Sequence, residues 1–287
     1  MNNVFFYLTL CSAFVIEISY SASLPPDGYL PISSLSDEFT GSSLDASKWI
    51  AKDPDWPGRQ PGLFDPNNVV VQNGTLQLWA RAAKRNNSWP EGYDNYTTSA
   101  IHSIAMVNQG YFEIRWRSGS SGISSSFWFH ENNGTSWTEI DVFETTGTDN
   151  LAKGGALASQ LPSHVHVFSL PNVNVSTLPK VCNCTEGTPN SPPCSKQSLF
   201  TLPQGQTFSS AFHVAGLLWT DSEIQVFLDG TLVNTIPSTC LVQELAVDFD
   251  RETMPGWMKL PDPSTLPDVP FEVDYIRSWS PPGRRRL

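Results

Sequence analysis

The chain has 287 residues and a net charge of −11, from 28 acidic and 17 basic side chains. This balance argues against nucleic acid or an acidic membrane surface as a partner, because neutralising phosphate groups requires clustered Lys and Arg. Only 16% of the residues are charged and 39% are hydrophobic, which excludes an acidic disordered chain and a long coiled coil.

Residues 1–23 have the composition of a secretory signal peptide. An apolar run, Val4–Ile16, is followed by the small residues 21–23. No Lys or Arg precedes the run and Glu17 interrupts its end, which departs from the usual pattern. The run is too short to span a bilayer, and no later segment reaches about 18 apolar residues. We therefore expect a secreted, extracellular protein whose mature chain, 24–287, forms one domain.

Short runs of β-branched and aromatic residues between Gly, Pro, Asn or Asp predict an all-β fold. In chain order they are Val69–Val71, Leu76–Trp79, Gly110–Trp116, Ser126–Phe129, Val165–Phe168, Phe212–Trp219, Ile224–Leu228 and Phe271–Trp279. Asn73-Gly74 and Asp229-Gly230 predict tight hairpin turns. No helical period, internal repeat or composition shift divides the chain, so we expect a single β-sandwich or jelly roll.

The stretch 172–203 predicts a disulfide-stapled loop insertion. It holds three of the four cysteines that follow the signal segment, which are Cys182, Cys184, Cys194 and Cys240. An even number in a secreted chain predicts two disulfides, with three possible connectivities. Cys182 and Cys184 are too close to favour pairing with each other. A zinc site is the alternative, disfavoured by secretion and by the lack of a C-x₂-C pair.

Asn-x-Ser/Thr sequons predict N-glycosylation, in keeping with a secretory route. They begin at Asn73, Asn86, Asn95, Asn133, Asn174 and Asn183. The basic cluster Arg284–Arg286 at the C-terminal end is interpreted as a solvated tail.

Three carboxylates lie close together in an otherwise apolar, strand-like stretch, at Glu139, Asp141 and Glu144. On a regular strand Glu139 and Asp141 share a face and Glu144 points away. One inserted residue, a β-bulge, returns Glu144 to the same face. Two Glu side chains leaning together would bring their carboxyls to about 5 Å, the separation that a retaining glycosidase needs. A solvated strand face with alternating acids is the alternative interpretation.

The sequence Glu139-Ile-Asp141-Val-Phe-Glu144 resembles the ExDxxE signature of glycoside hydrolase family 16 in its bulge-containing form. The resemblance extends over nearly the whole mature chain. It includes Ser36–Phe39, Leu44–Trp49, Gly110–Arg115, Ser126–Phe129, Phe212–Trp219, Phe227–Gly230 and Phe271–Arg277. It implies a concanavalin A-like β-jelly roll with an open concave cleft, and hydrolysis of β-linked polysaccharides with retention. Glu139 then resembles the nucleophile, Glu144 the general acid/base, and Asp141 the residue that tunes the nucleophile.

Within that family, several segments resemble the agarase and porphyranase branch, which acts on red-algal galactans. These are Thr138 before the first Glu, Trp56–Arg59, Pro61–Phe64, His164–Phe168, Glu252–Trp257, Leu260–Asp262 and Leu266–Asp268. The candidate substrate-binding residues are Trp56, Arg59, Trp128, Trp137, His166, Glu252 and Trp257. A Trp there would stack on a sugar, and Arg59 would pair with a sulfate or with hydroxyls.

The resulting expectation is an endo-acting, retaining hydrolase of agarose- or porphyran-type galactan. A β-1,3-glucanase and a non-catalytic glucan-recognition protein are the alternatives. The partner would be a polysaccharide, neither nucleic acid nor a membrane, and the protein a monomer. No cofactor or catalytic metal is expected. A structural calcium ion is compatible with this expectation, although no residue pattern argues for one.

Overall fold

The computed structural model describes residues 24–134, 136–149, 156–169, 198–237, 241 and 243–283. The predicted signal segment, all five cysteines, residues 172–197 of the predicted insertion and the tail 284–287 lie outside these residues, as do two sequons, Asn174 and Asn183. The other four sequon asparagines are exposed, and their glycosylation stays a prediction.

Seventeen strands are found among the described residues. They are β1 (Leu30–Pro31), β2 (Trp49–Ile50), β3 (Gly62–Phe64), β4 (Val69–Gln72), β5 (Thr75–Leu78), β6 (Arg81–Ala83), β7 (Asn95–Ser103), β8 (Gly110–Arg117), β9 (Ser125–Asn132), β10 (Ser136–Thr145), β11 (Gln160–Ser169), β12 (Ser198–Thr201), β13 (His213–Trp219), β14 (Glu223–Leu228), β15 (Thr231–Pro237), β16 (Ala246–Arg251) and β17 (Phe271–Ser280). Short 3₁₀ helices lie at Pro66–Asn68 and Pro263–Thr265. In the described part of the chain, no helix has the length and apolarity needed to cross a membrane.

The strands form two largely antiparallel sheets. The eight-stranded sheet has the order β15-β14-β13-β8-β17-β5-β4, with β1 on β17. The nine-stranded sheet has the order β12-β11-β10-β9-β16-β7-β2, with β3 and β6 on β7. This two-sheet sandwich confirms the predicted all-β class.

Both predicted hairpin turns are present. Asn73-Gly74 joins β4 to β5, and Asp229-Gly230 joins β14 to β15. All four turn residues have positive φ, between 49° and 79°, which a two-residue type I′ turn requires. Asn, Asp and Gly tolerate this conformation, which explains why these pairs mark the turns in the sequence.

The apolar core lies between the two sheets and is rich in aromatic rings. Trp116 of β8 stacks on Phe143 of β10 with ring centroids 3.8 Å apart and an interplanar angle of 18°. Phe127 of β9 stacks on Phe249 of β16 at 5.1 Å. These side chains are fully buried, so the inner faces of β9, β10 and β16 are fixed by packing. Their opposite faces are free to carry polar groups.

Candidate active site

A cleft of about 300 Å³ lies on the face of the nine-stranded sheet that points away from the core. Strands β9, β10 and β16 and the loop before β3 supply its walls. The lining residues are Asp55, Trp56, Arg59, Ser126, Trp128, Trp137, Glu139, Asp141, Glu144, Asp250 and Glu252.

A β-bulge in β10 brings the three predicted carboxylates to one face. Asp141 is opposite Trp128 of β9 while Phe143 is opposite the next residue, Phe127, so Val142 is an extra residue in β10. Val142 and Phe143 are both fully buried in the core. Two consecutive core residues shift the alternation by one, and Glu144 therefore returns to the cleft face that Glu139 and Asp141 occupy.

Glu139 and Asp141 share a hydrogen bond in the cleft floor. Asp141 is 4% exposed, and burial raises its pKa well above the usual range, with a further increase from the charge of Glu139. Asp141 therefore holds the shared proton, and the Glu139 oxygens act as acceptors. The indole Nε1 of Trp137 donates a second hydrogen bond to Glu139 Oε2 at 2.6 Å. Two donors thus orient the Glu139 carboxylate.

Glu144 lies in a different electrostatic environment. Burial raises its pKa well above the usual range, and the negative charges of Asp141 and Glu252 raise it further. The guanidinium of Arg59 opposes these effects without cancelling them. This shift favours the protonated form of Glu144, on the same strand face as an oriented carboxylate. This difference between two carboxyls is what acid catalysis of glycoside cleavage needs.

Strand β16 and the residue after it contribute two further carboxylates to the cleft. Asp250 lies in β16, Glu252 directly follows the end of the strand, and both line the cleft. Glu252 accepts two hydrogen bonds from Arg59, at 3.1 and 3.2 Å. Burial raises the Glu252 pKa to about 7 despite this ion pair. Burial likewise raises the pKa of Asp250, aided by the charges of Glu252 and Glu144.

Tryptophan rings form the apolar part of the cleft. Trp128 and Trp137 stack at 6.4 Å with an interplanar angle of 22°, and Trp56 meets Trp128 edge-on at 6.5 Å. The Arg59 guanidinium lies 5.4 Å from the Trp56 ring centroid and 5.8 Å from that of Trp257. Flat aromatic faces beside a guanidinium and carboxylates suit a ligand with apolar ring faces and polar edges.

Five of the seven predicted substrate-binding residues line the cleft: Trp56, Arg59, Trp128, Trp137 and Glu252. The other two do not line it. Trp257 is 49% exposed and does not line the cleft, although its ring centroid lies 5.8 Å from the Arg59 guanidinium. His166 lies beside Asp141, with Nε2 3.4 Å from Asp141 Oδ2.

Three lining residues were not predicted from the sequence: Asp55, Ser126 and Asp250. For Asp250 a signal exists, because Asp248-Phe-Asp250-Arg-Glu252 alternates acids with other residues in the strand period. Asp55 lies on an irregular loop and Ser126 has a common residue type, so neither has a comparable pattern.

Two groups in the described residues consist of side chains that transition metals accept as ligands. They are Asp53 with His102, His130 and Asp248, and Asp141 with His164 and His166. In the first group, Asp248 lies 2.8 Å from His102 Nδ1 and 2.9 Å from His130 Nδ1, which are hydrogen-bond lengths. We therefore interpret this group as hydrogen-bonded ion pairs.

A β-sandwich with an oriented carboxylate, a protonated carboxyl and stacked tryptophans in one cleft has the architecture of a glycoside hydrolase. Comparisons with known proteins agree. Residues 29–281 match the sequence profile of the family described as β-porphyranase A-D, glycoside hydrolase family 16 domain. The chain belongs to this family and is a glycoside hydrolase.

Individual relatives span nearly the whole chain. It is 31% identical over 276 residues to β-porphyranase E of Zobellia galactanivorans, covering 89% of this chain and 90% of that protein. The crystal structure of porphyranase B from the same organism has a TM-score of 0.71 and 26% identity, covering 88% of this chain and 92% of that one. The structure of β-agarase A in complex with oligoagarose has a TM-score of 0.68 at 20% identity, covering 91% and 96%. These matches confirm the predicted jelly-roll fold.

Proposed function

We propose that this protein is an endo-acting, retaining hydrolase of a β-linked galactan of the porphyran or agarose type. The observation that carries the chemistry is the placement of Glu139 and Glu144 on one strand face in the same cleft. Burial and neighbouring carboxylates raise the pKa of Glu144, which favours the protonated form that an acid needs. The galactan class is supported by the β-porphyranase relatives, which match over nearly the full chain.

In the proposed reaction Glu139 attacks the anomeric carbon while Glu144 protonates the leaving oxygen, which forms a glycosyl-enzyme. Glu144, now ionised, then removes a proton from water, and the water displaces Glu139. Asp141 keeps its proton and donates a hydrogen bond to Glu139, which orients the carboxylate that attacks. Two inversions leave the product with the configuration of the substrate.

The shape and composition of the cleft support internal cleavage of a long chain. Trp56, Trp128 and Trp137 offer several ring faces for consecutive sugars. Arg59 and Glu252 offer charged hydrogen-bonding groups in the same cleft. The Arg59 side chain is 45% exposed although it is paired with Glu252, so it remains accessible to a sulfate or hydroxyl.

The test is incubation of the protein with porphyran, agarose, κ-carrageenan and laminarin in parallel, with Glu139→Gln and Glu144→Gln variants as matched controls. We expect reducing ends from porphyran or agarose, a rapid fall in polymer length, and β-anomeric products by proton NMR. Cleavage of laminarin alone would refute the galactan assignment. Initial α-anomeric products would refute retention.

We also propose that the protein is secreted and that residues 1–23 are removed. The apolar run followed by small residues supports this, and so do the sequons. Amino-terminal sequencing of protein recovered from culture medium should begin at residue 24. Recovery only from cells, with Met1 intact, would contradict the proposal.

A further inference from the structure

A buried row of charged side chains crosses the nine-stranded sheet beside the catalytic carboxylates. His102 of β7 is opposite Asp248 of β16, and His130 of β9 is opposite Glu139 of β10. The two oxygens of Asp248 accept one hydrogen bond each from the Nδ1 atoms of His102 and His130. Because these histidines hold the pKa of Asp248 below its usual range despite burial, Asp248 is an ionised acceptor and both Nδ1 atoms carry protons.

The second ring nitrogen of His130 also faces carboxylates. Its Nε2 lies 3.6 Å from Asp53 Oδ2 and 4.0 Å from Asp55 Oδ2. His130 is 1% exposed, and neither its Nε2 nor Asp53 Oδ2 has a hydrogen-bond partner among the described residues. Burial lowers the pKa of His130, but the charges of Asp248, Asp53 and Glu139 outweigh it and raise the pKa to about 9. The ring is therefore an imidazolium, with Asp248 at its Nδ1 and Asp53 and Asp55 near its Nε2.

The flat faces of this imidazolium are packed against the aromatic rings of the cleft. Its centroid lies 4.6 Å from both Trp128 and Trp137, with interplanar angles of 20° and 18°. A cation stacked on an indole is attracted by the π system, most strongly where water is excluded. Trp137 in turn donates its hydrogen bond to Glu139.

His130 also reaches the loop that forms the opposite wall of the cleft. Asp53 Oδ1 accepts hydrogen bonds from the backbone N–H groups of Asp55, at 2.7 Å, and Trp56, at 3.0 Å. The other oxygen of Asp53 faces His130. One carboxylate thus organises the loop that carries Trp56 and Arg59 and pairs with the imidazolium.

We propose that His130 is a positioning residue of this hydrolase: it joins the Trp56 loop to the Trp128–Trp137 pair and, through the Trp137 hydrogen bond, fixes the carboxylate of Glu139. The inference deepens the proposed function and rests on Glu139 acting as the nucleophile. Nothing in it requires His130 to touch the substrate.

The first test replaces His130 by Asn and compares steady-state kinetics on the polysaccharide that the wild-type protein cleaves. We expect kcat to fall about 10- to 100-fold, because a nucleophile displaced by about 1 Å loses that much rate. His213→Asn is the matched control, since His213 also pairs with an aspartate, Asp229, at 2.8 Å but does not line the cleft. It should keep kcat within about twofold. Near-UV circular dichroism should change more for His130→Asn than for His213→Asn, because His130 stacks on two tryptophans at 4.6 Å whereas His213 meets one, Trp116, at 6.3 Å and tilted.

The second test, Asp53→Asn, removes one negative charge beside the His130 imidazolium and keeps an oxygen that can accept the loop hydrogen bonds. Nitrogen-15 NMR of the imidazole rings should show both His130 nitrogens protonated at about pH 8 in the wild type. In Asp53→Asn the measured His130 pKa should fall, and kcat should fall above that lower pKa. This readout distinguishes positioning by charge from simple filling of space.

Several results would overturn the inference: a His130→Asn variant with unchanged kcat and KM, a neutral His130 ring at pH 7, or a stoichiometric metal ion that the variant loses. If the wild type cleaves no polysaccharide, the proposed function fails. The NMR and circular dichroism measurements would still decide, independently, whether the imidazolium holds the tryptophans.

Discussion

Glu139 and Glu144 have the same side chain, and their neighbours separate their chemistry. Glu139 accepts hydrogen bonds from Trp137 and from the protonated Asp141, whereas Glu144 is half-buried beside carboxylates that raise its pKa. Neither environment follows from the sequence spacing alone. The spacing predicts which residues share a face, and the tertiary structure determines which one keeps a proton.

This difference predicts opposite stereochemistry when azide replaces each lost carboxyl. Glu144→Ala should lose about 10²- to 10⁴-fold in rate on polysaccharide, less on substrates with activated leaving groups, and azide should then give a β-glycosyl azide. Glu139→Ala should fall to background, and azide in the vacated space should give the inverted product. NMR of the azide products is the measurement. A retained product from Glu139→Ala and an inverted one from Glu144→Ala would reverse the two roles.

The charge of Glu252 should set the alkaline limit of activity. Glu144 acts as an acid only while protonated, and the Glu252 carboxylate raises the Glu144 pKa. Glu252→Gln removes that charge and leaves Arg59, which lowers the same pKa, uncompensated. The alkaline limb of kcat/KM against pH should therefore move to lower pH. Glu272→Gln is the control, because Glu272 pairs with Arg117 in the other sheet. A limb that stays in place, or moves to higher pH, would show that Glu252 does not influence the acid.

At the scale of the strand, the bulge in β10 explains why the carboxylate spacing is functional. Asp141 and Phe143 lie opposite two consecutive residues of β9, with Val142 as the extra residue between them. Removing Val142 would therefore make the ladder regular. Glu144 would stay on the cleft face but move toward Glu139 by less than one strand rise, about 3.4 Å.

Two single-residue deletions in β10 should therefore differ sharply. Deleting Val142 should keep measurable hydrolysis, reduced about 10- to 100-fold by the altered separation. Deleting Ile140 should abolish it, because Glu139 would turn toward the core. Both deletions remove one buried aliphatic residue, so the loss of packing is comparable. Reducing-end assays on folded protein provide the measurement. Equal activity of the two variants would contradict the bulge geometry.

Element prediction was successful where local pattern and turn chemistry agree, as in the β4–β5 and β14–β15 hairpins and in β10. For strand β7 a strand was expected only around His102, because Asn95–Ser103 is largely polar and draws its stability from four neighbouring strands. The His130 row was also missed. His130 follows an aromatic run, and its partners Asp53 and Asp248 are distant in sequence, so only the sheet order and the covering loop bring them together.

For the whole molecule, the site concentrates ionisable groups whose pKa values rise on folding. Burial raises the pKa of Glu252 from 4.5 to about 7 and that of Asp53 from 3.8 to about 6. For His130 the nearby carboxylates overcome burial and raise the pKa from 6.5 to about 9. All three groups bind protons more tightly in the folded state, so each stabilises the fold at low pH.

The free energy of unfolding should therefore decrease as the pH rises. The contributions of Asp53 and Glu252 are complete below about pH 4 and are lost as the pH rises through about 6 and 7, and that of His130 is complete below about pH 6.5 and is lost toward about 9. Each titrating group should contribute a slope of about 1 kcal/mol per pH unit. Denaturant unfolding at about pH 5, 7 and 9 measures this. Glu252→Gln should flatten the fall between about pH 5 and 7, and Glu272→Gln should not. A free energy of unfolding that stays constant or increases over this pH range would mean that the carboxyls of the cleft are ionised and solvated. That result would also contradict the assignment of a proton to Glu144.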